Sequence, residues 1–458
     1  MLTPFVSATH IQGGNITYQC VGPNEYEITL TLTADCGATP IDTSIAQIIQ
    51  IKDDCGTTPY ALNLSHFNTE KFTPFCDSIP TECDGGTYPG WYIHTFKGTT
   101  TLPSVCDSWT FYLNSCCRYQ TNNSNTNGSY YYYAKVNTVD APFNISPVFT
   151  GLPFSVGCYG QTNNFNFGVT EIEGDSLVYS LVDAWENENI SITYSPTYTG
   201  AQPISGISIN SQNGDITYNA NSIGSYIVVV KVDEYRNGIL IGTVIRDVVF
   251  EVLNCNNSIP YLSSVTPNNN ATQIQNDTII VCEGIPFDVN VVFADSNALD
   301  SITISSNYSN IYPGAQISYT GSNPTTANLI WTLPTVLTGN GSWIYFDVKD
   351  DACPIIGHQT YSYYLQIEDS LTCLNSVNEI NAISFNVYPN PNNGKFRINL
   401  KQTEHLKLTI TNNIGQIILK EEEFDINNDI DLSKFKKGVF FITLSNESYQ
   451  STKKIIIN

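Results

Sequence analysis

Carboxylates recur at matching places along the middle of this 458-residue chain. The stretch Glu171-Ile172-Glu173-Gly174-Asp175 is followed downstream by Asp233-Glu234, and the stretch Asp295-Ser296-Asn297-Ala298-Leu299-Asp300 by Asp350-Asp351. Side-chain oxygens gathered in this way are hard donors, and the chemistry open to them is the binding of hard cations. A second set, Tyr88, Trp91 and Tyr92, lies in a loop with Gly85, Gly86 and Gly90, where flat rings can stack on the faces of sugars. Catalysis finds little support. The chain has no G-x-S-x-G elbow, H-E-x-x-H pair, P-loop or G-x-G-x-x-G fingerprint, and His10, His66, His94, His358 and His405 are scattered without metal-ligand spacing. The chain is expected not to be an enzyme.

The elements that carry these residues read as strands. Aromatics make up 12% of the chain and charged residues only 13%, with tyrosine and β-branched residues prominent, a balance that suits pleated, half-buried surfaces. No apolar run reaches the roughly 18 residues that a spanning helix needs, so no transmembrane segment is expected. The net charge is −23, and it is uneven. From Tyr388 to Asn458 there are 10 basic and 8 acidic residues, against 9 and 34 before it. A body that acidic repels phosphate backbones, and no nucleic acid is expected as a partner.

Thirteen cysteines, nine of them up to Cys158, read as a disulfide framework made in an oxidising compartment. The odd count leaves at least one thiol over, the pairings stay open, and adjacent Cys116 and Cys117 are expected to bond to different partners.

Residues 9–158 form a cystine-rich β region, with period-two strands such as Tyr26-Glu27-Ile28-Thr29-Leu30-Thr31-Leu32. An internal repeat follows. Gly224-Ser225-Tyr226-Ile227 with Asp233-Glu234 matches Gly341-Ser342-Trp343-Ile344 with Asp350-Asp351, and each copy is about the size of an immunoglobulin-like sandwich. Residues 159–255 and 256–373 are therefore expected to be two such domains. A linker over 374–386 leads to a small β unit, 387–458, set off by Pro389 and Pro391, which cannot sit inside a central strand. Phe5-Val6-Ser7-Ala8 has the small residues of a signal cleavage site, and residues 1–8 are read as the remnant of a signal peptide.

Resemblances sharpen this outline. Tyr388-Pro389-Asn390-Pro391, Gly394, Gly415, Gly438 and the final Lys453-Lys454 resemble the type A sorting domain of the bacterial type IX secretion system. That resemblance implies passage from the periplasm across the outer membrane, the secretion machinery as a partner, and a destination in the medium or on the outer cell surface. Glu173-Gly174-Asp175-Ser176-Leu177 and Val232-Asp233-Glu234-Tyr235-Arg236 with Arg246-Asp247 resemble PKD-like or cadherin-like domains of Bacteroidota surface proteins of the gliding-motility-associated type. The cadherin-like resemblance implies calcium as cofactor at one pole of each sandwich. Its ligands would be Glu171, Glu173, Asp175, Asp233 and Glu234 in the first copy, and Asp295, Asn297, Asp300, Asp350 and Asp351 in the second.

The expectation is thus a mostly β protein: tandem immunoglobulin-like β-sandwiches between a cystine-rich β N-terminal region and a small C-terminal β-sandwich. Its expected role is a secreted or cell-surface adhesion or structural protein that contacts an extracellular glycan or protein. A glycan-binding accessory protein, using Tyr88, Trp91 and Tyr92, is the alternative, and an unrecognised extracellular hydrolase is a third reading.

Overall fold

The computed structural model describes residues 11–124, 128–219, 221–268, 273–275, 277–282, 284, 286–332, 341–368, 385–412 apart from 401–405, and 415–458 apart from 425–428, 436 and 446–449. These residues are mostly strand, with one short α-helix, Tyr308–Ile311, among them. They fall into two units, 1–373 and 374–458. The signal-peptide remnant, 1–8, lies outside the described residues, as does most of the expected linker.

The first unit is organised by one large sheet, antiparallel except where Val156–Cys158 pairs in parallel with Ile239–Leu253. Its order runs Ile11–Gly22, Glu25–Asp35, Trp91–Thr101, Tyr60–Phe72, Gln47–Asp53, Trp109–Ser115, Tyr130–Val136, Ile239–Leu253, Gly224–Arg236, Ser176–Leu181. The Ile239–Leu253 strand also pairs with Ile11–Gly22, so the ladder returns to its first strand. Gly13 and Gly14 make that closure possible. A Cβ on Gly13 would lie 2.5 Å from the Asp247 carbonyl oxygen, and one on Gly14 2.6 Å from the Tyr132 ring.

This sheet corrects the expected domain boundary at residue 158. Strands on both sides of the boundary belong to one sheet, and one core runs from Ile11 and Ile16 through Trp109 and Phe111 to Val228, Val230 and Phe250. The physical reason lies in the two long strands Gly224–Arg236 and Ile239–Leu253, which are buried on both faces. Val228, Val230 and Val232 face the large core, while Ile227, Val229, Ile245 and Val249 pack beneath Tyr131, Tyr133 and Ile192. A strand buried on both faces needs a layer on each side, and the N-terminal region supplies one of them. The Trp185–Asn187 and Ile190–Ser191 hairpin helps to cover the other, where Trp185 stacks 5.1 Å from Tyr133.

Double burial also perturbs Glu251 on the Ile239–Leu253 strand. Its carboxylate accepts from Ser225 Oγ at 2.7 Å, yet burial pushes its pKa from 4.5 up to about 7. The folded state therefore holds this proton more tightly than the unfolded chain, so the contribution of Glu251 to stability is fully present below pH ~4.5 and is lost as pH rises through about 7. Glu251→Gln is expected to remove this slope and to leave the protein about 1–3 kcal/mol more stable than wild type at pH 8, read by urea unfolding at pH 5 and pH 8. Equal slopes in the two proteins would contradict this.

The second sandwich packs two sheets face to face. A four-stranded sheet, Tyr261–Pro267, Pro286–Ala294, Thr325–Thr332 and Gln316–Thr320, faces a five-stranded one containing Thr278–Cys282, His358–Glu368 and Ser342–Lys349. Phe287, Val289, Val291 and Phe293 alternate inward from the first sheet and meet Ile344, Phe346 and Val348 of the second.

This sandwich is tied to the larger body at several points. Cys76 is disulfide-bonded to Cys353, and the chain on either side makes a two-way clasp: Cys76 N–H donates to the Pro354 carbonyl at 3.1 Å and Ile356 N–H to the Pro74 carbonyl at 2.9 Å. The Asn164 backbone N–H also donates to Gln359 Oε1 at 2.8 Å. The other bridges are Cys36–Cys83, Cys55–Cys106, Cys116–Cys117 and Cys158–Cys255; Cys282 is bonded too, and Cys20 is the free thiol among the described residues. Cys116 and Cys117 thus bond to each other, not to separate partners as expected, and the other described cysteines, Cys20 apart, are already bonded elsewhere.

The second unit has its own core. Phe385–Tyr388, Lys395–Leu400 and Asp429–Asp431 form one sheet, and Ile417–Phe424, Leu406–Asn412, Gly438–Ser445 and Gln450–Ile457 the other, around Ile398, Leu408, Ile410, Ile442, Leu444 and Ile455. Phe385 and Asn386, expected in the linker, already belong to its first strand.

Candidate metal centre

Both acidic poles assemble, but with different residues and different partners from those expected. In the first, carboxylate oxygens of Glu171, Asp175 and Glu234 lie within 4.8 Å of one another. Glu171 curls back over its own turn and accepts the N–H groups of Glu173, Gly174 and Asp175 at 2.5–2.7 Å. Asp175 is clasped by Arg236, Nε to Oδ1 at 2.8 Å and Nη2 to Oδ2 at 2.5 Å, and the same guanidinium lies 3.3 Å from Glu173. Glu234 is fully buried. Its Oε2 accepts from Asn144 Nδ2 at 2.6 Å, its Oε1 has no partner, and burial pushes its pKa up to about 8.

Asp233, expected to share this site, points away from it. Neighbouring residues on a strand face opposite sides, and Asp233 pairs instead with Lys231 and accepts from Thr243 Oγ1 at 2.8 Å. Glu173 stays near the pole, but its Oε2 is taken up by the Ile145 N–H at 2.7 Å as well as by Arg236.

The second pole gathers Asp295, Asp300 and Asp350, again within 4.8 Å. Asp295 is 8% exposed and Asp350 5% exposed, and burial raises the pKa of both. Asp350 Oδ1 accepts the N–H groups of Ala352 and Gly357 at 3.0 and 2.8 Å, and its Oδ2 accepts from Asn257 Nδ2 at 2.7 Å. Asp295 Oδ2 and Asp300 Oδ2 are buried without any partner. Among the described residues no lysine, arginine or histidine is ion-paired with any of the three.

Buried, unpaired carboxylate oxygens facing one another without a counter-charge are unstable unless protonated or bound to a cation. An all-oxygen donor set of this kind suits Ca²⁺. The residues present therefore fit the ion. Asn297 and Asp351 belong to the frame: the Asn297 N–H donates to Asp295 Oδ1 at 2.7 Å, its Nδ2 to Asn257 Oδ1 at 3.2 Å, and Asp351 Oδ1 accepts the Ser301 N–H at 2.7 Å. Asn257 sits in the segment joining Ile239–Leu253 to Tyr261–Pro267, so this pole lies where the large body passes into the second sandwich.

Sequence reasoning missed Arg236, Asn144 and Asn257. Arg236 was legible, because residues two apart on a strand share a face and Arg236 stands two beyond Glu234. Asn144 and Asn257 reach the poles from distant parts of the chain and carry no local signal.

The aromatic platform does not form. Trp91 is 1% exposed, opens the Trp91–Thr101 strand, and its indole N–H donates to Gln12 Oε1 at 2.6 Å. Tyr88 is exposed and packs 5.0 Å from Phe75, while Tyr92 is half-buried. A rigid strand partner across the Glu25–Asp35 strand drew Trp91 into the core, where its large apolar surface is best spent.

In the second unit the motif residues build the fold itself. Tyr388 ends the first strand, and beyond Pro389 the side chain of Asn390 bridges to the last strand. Its Nδ2 donates to the Lys454 carbonyl at 3.0 Å and its Oδ1 accepts the Ile456 N–H at 2.9 Å. After Pro391, Asn392 Oδ1 accepts the Gly394 N–H at 2.7 Å. Gly394 has φ +98°, and a Cβ there would lie 2.5 Å from Ser433 Cα. Gly415 has φ +81° at a hairpin turn, and Gly438 opens its strand. Lys453 Nζ reaches Asn386 Oδ1 at 3.1 Å.

Residues 386–458 match the family described as "Secretion system C-terminal sorting domain". The tail is a type IX sorting domain. The protein is accordingly secreted to the outer surface or the medium, and the tail implies contact with the secretion machinery. No curated protein matches the chain. Among solved structures it is similar to the N-terminal four Ig domains of Dscam1 isoform 4.44, at 9% identity over 81% of this chain and 87% of that one, with a TM-score of 0.18. It is also similar to domains EC1-2 of human protocadherin-24, at 13% identity over 49% of this chain and 99% of that one, with a TM-score of 0.17. No helix among the described residues is long and apolar enough to cross a membrane.

Proposed function

We propose that this secreted protein is a non-enzymatic adhesion or structural protein whose working body is stiffened by calcium at the junction of its two parts. The observation that carries the reading is the pair of partnerless buried oxygens, Asp295 Oδ2 and Asp300 Oδ2, on residues that cluster with Asp350, itself bonded to the connecting residue Asn257. A divalent ion there would offset two of the three carboxylate charges and, through Asn257, brace the second sandwich against the large sheet. Disulfide Cys76–Cys353 supports the same reading, because it ties to the larger body the segment whose Ala352 and Gly357 N–H groups hold Asp350. A body with a fixed axis presents surface contacts at constant spacing, which favours multivalent attachment over turnover.

The supporting experiment has two readouts. Thermal unfolding in millimolar calcium against chelator is expected to show a higher melting temperature with calcium, since an ion at 100 times its Kd adds about 2.7 kcal/mol to the native state. Asp350→Asn is expected to abolish the difference. Adhesion is then read from beads coated with the body and applied to cells or extracellular matrix, with attachment reduced in chelator. A melting temperature indifferent to calcium sinks the proposal for the metal, and beads that attach no better than uncoated ones sink it for adhesion. Glycan binding through Trp91 has lost its platform, because the ring is buried.

A further inference from the structure

We infer that the first acidic pole is a cation site already filled by the chain's own Arg236 and so closed to metal ions; where the calcium reading also holds, the two related poles have divided, one with a built-in cation and the other left for a metal ion.

The argument is an inventory of oxygen atoms. At the first pole both oxygens of Asp175 are engaged by the guanidinium, at 2.8 and 2.5 Å. Both oxygens of Glu171 are committed to three backbone N–H groups of its own turn. Glu234 Oε2 is held by Asn144, whose Oδ1 accepts in turn from Arg236 Nη2 at 3.2 Å. One acceptor is left over, Glu234 Oε1, on a side chain with no exposed surface. It is a leftover that the Arg236 geometry explains: a planar fork saturates one carboxylate in two directions but cannot surround itself with six to eight oxygens as a calcium ion does.

The second pole lacks such a fork. Its counterpart of the Gly224–Arg236 strand is Ser342–Lys349, which ends before Asp350, and no arginine or lysine is paired with Asp295, Asp300 or Asp350 among the described residues. Two oxygens there are free. The first pole also lies within the large sheet, where Glu234 pairs across to Gly242 and Asp175 borders the Ser176–Leu181 strand. A covalently attached cation keeps this pole closed at any calcium level, so that calcium dependence is confined to the junction with the second sandwich.

This inference shares with the calcium reading only the view that both acidic turns are built around a cation, and calorimetric titration of the full chain with CaCl₂ separates the two. Wild type is expected to bind one ion, and Arg236→Met, which keeps the aliphatic stem and removes the charge, two. An Arg236→Met protein with the same number of sites as wild type overturns the inference. If wild type binds none while Arg236→Met binds one, the inference stands and the calcium reading of the second pole fails. Should Arg236→Met not fold, the wild-type background still decides. Glu234→Gln is expected to leave the wild-type stoichiometry unchanged, and a fall of one site in Glu234→Gln shows that the first pole binds calcium with Arg236 in place and overturns the inference.

Discussion

Removal of residues 386–458 is expected to move the protein from the outside of the cell to the periplasm, with almost none left in the medium or outer-membrane fraction. The expectation is large because the tail and the body each have a core of their own. The tail closes its own two sheets around Ile398, Leu408, Ile410, Ile442 and Leu444, while the body closes around cores that draw on residues 11–367. Each unit buries enough apolar surface to fold by itself. Truncation should therefore leave the melting temperature of the body nearly unchanged while abolishing export. Fractionation of cells carrying the type IX system, full-length against truncated, is the measurement. Truncated protein found in the medium at the full-length level would refute the assignment of export to this tail, and a truncated protein that melts early would point to misfolding as the cause of retention.

The second large effect concerns the buried ion pair that holds the large sheet to its outer cover. Arg118 and Asp247 are 4% and 1% exposed and meet through two parallel bonds, Nη1 to Oδ1 at 2.7 Å and Nη2 to Oδ2 at 2.5 Å. Arg118 Nη2 also donates to the Trp185 carbonyl at 3.1 Å, which ties the covering hairpin to the sheet. Asp247→Asn leaves the guanidinium charged and buried without an anion, and a loss of about 3–5 kcal/mol is expected, read from urea unfolding. The cost comes from the stranded charge and not from the pair as such. The double variant Arg118→Met, Asp247→Leu is therefore expected to recover most of the loss. Equal losses in the single and double variants would contradict that account. Arg246, the neighbour of Asp247, makes the contrast. It faces the other side of the strand, lies 5.0 and 5.2 Å from the Phe149 and Phe167 rings, and donates to the Pro153 carbonyl at 3.2 Å.

Much of the architecture was legible because it depends on local pattern. The alternation in Pro286–Ala294 directed Phe287, Val289, Val291 and Phe293 to one face, and the core there follows it. The large sheet was less legible. The unbroken run Tyr226-Ile227-Val228-Val229-Val230 carried a signal of burial on two faces, but a run of that kind does not say which neighbour supplies the second layer. The boundary at residue 158 was drawn where the repeat begins, and the repeat marks matching hairpins, Gly224–Arg236 with Ile239–Leu253 and Ser342–Lys349 with His358–Glu368, not matching domains.

The sequence alone determined the β class, the acidic turns and the export address, because strand period, carboxylate content and the Tyr388–Gly394 motif are properties of contiguous residues. Tertiary structure decided which oxygens meet. Asp233 left its site because adjacent strand residues face apart, Trp91 left the surface because a strand partner and Gln12 could receive it, and Arg236 entered a pole that Asn144 completes from 90 residues away. Such choices depend on which faces pack together, and a linear pattern fixes the face of a residue without naming what lies opposite.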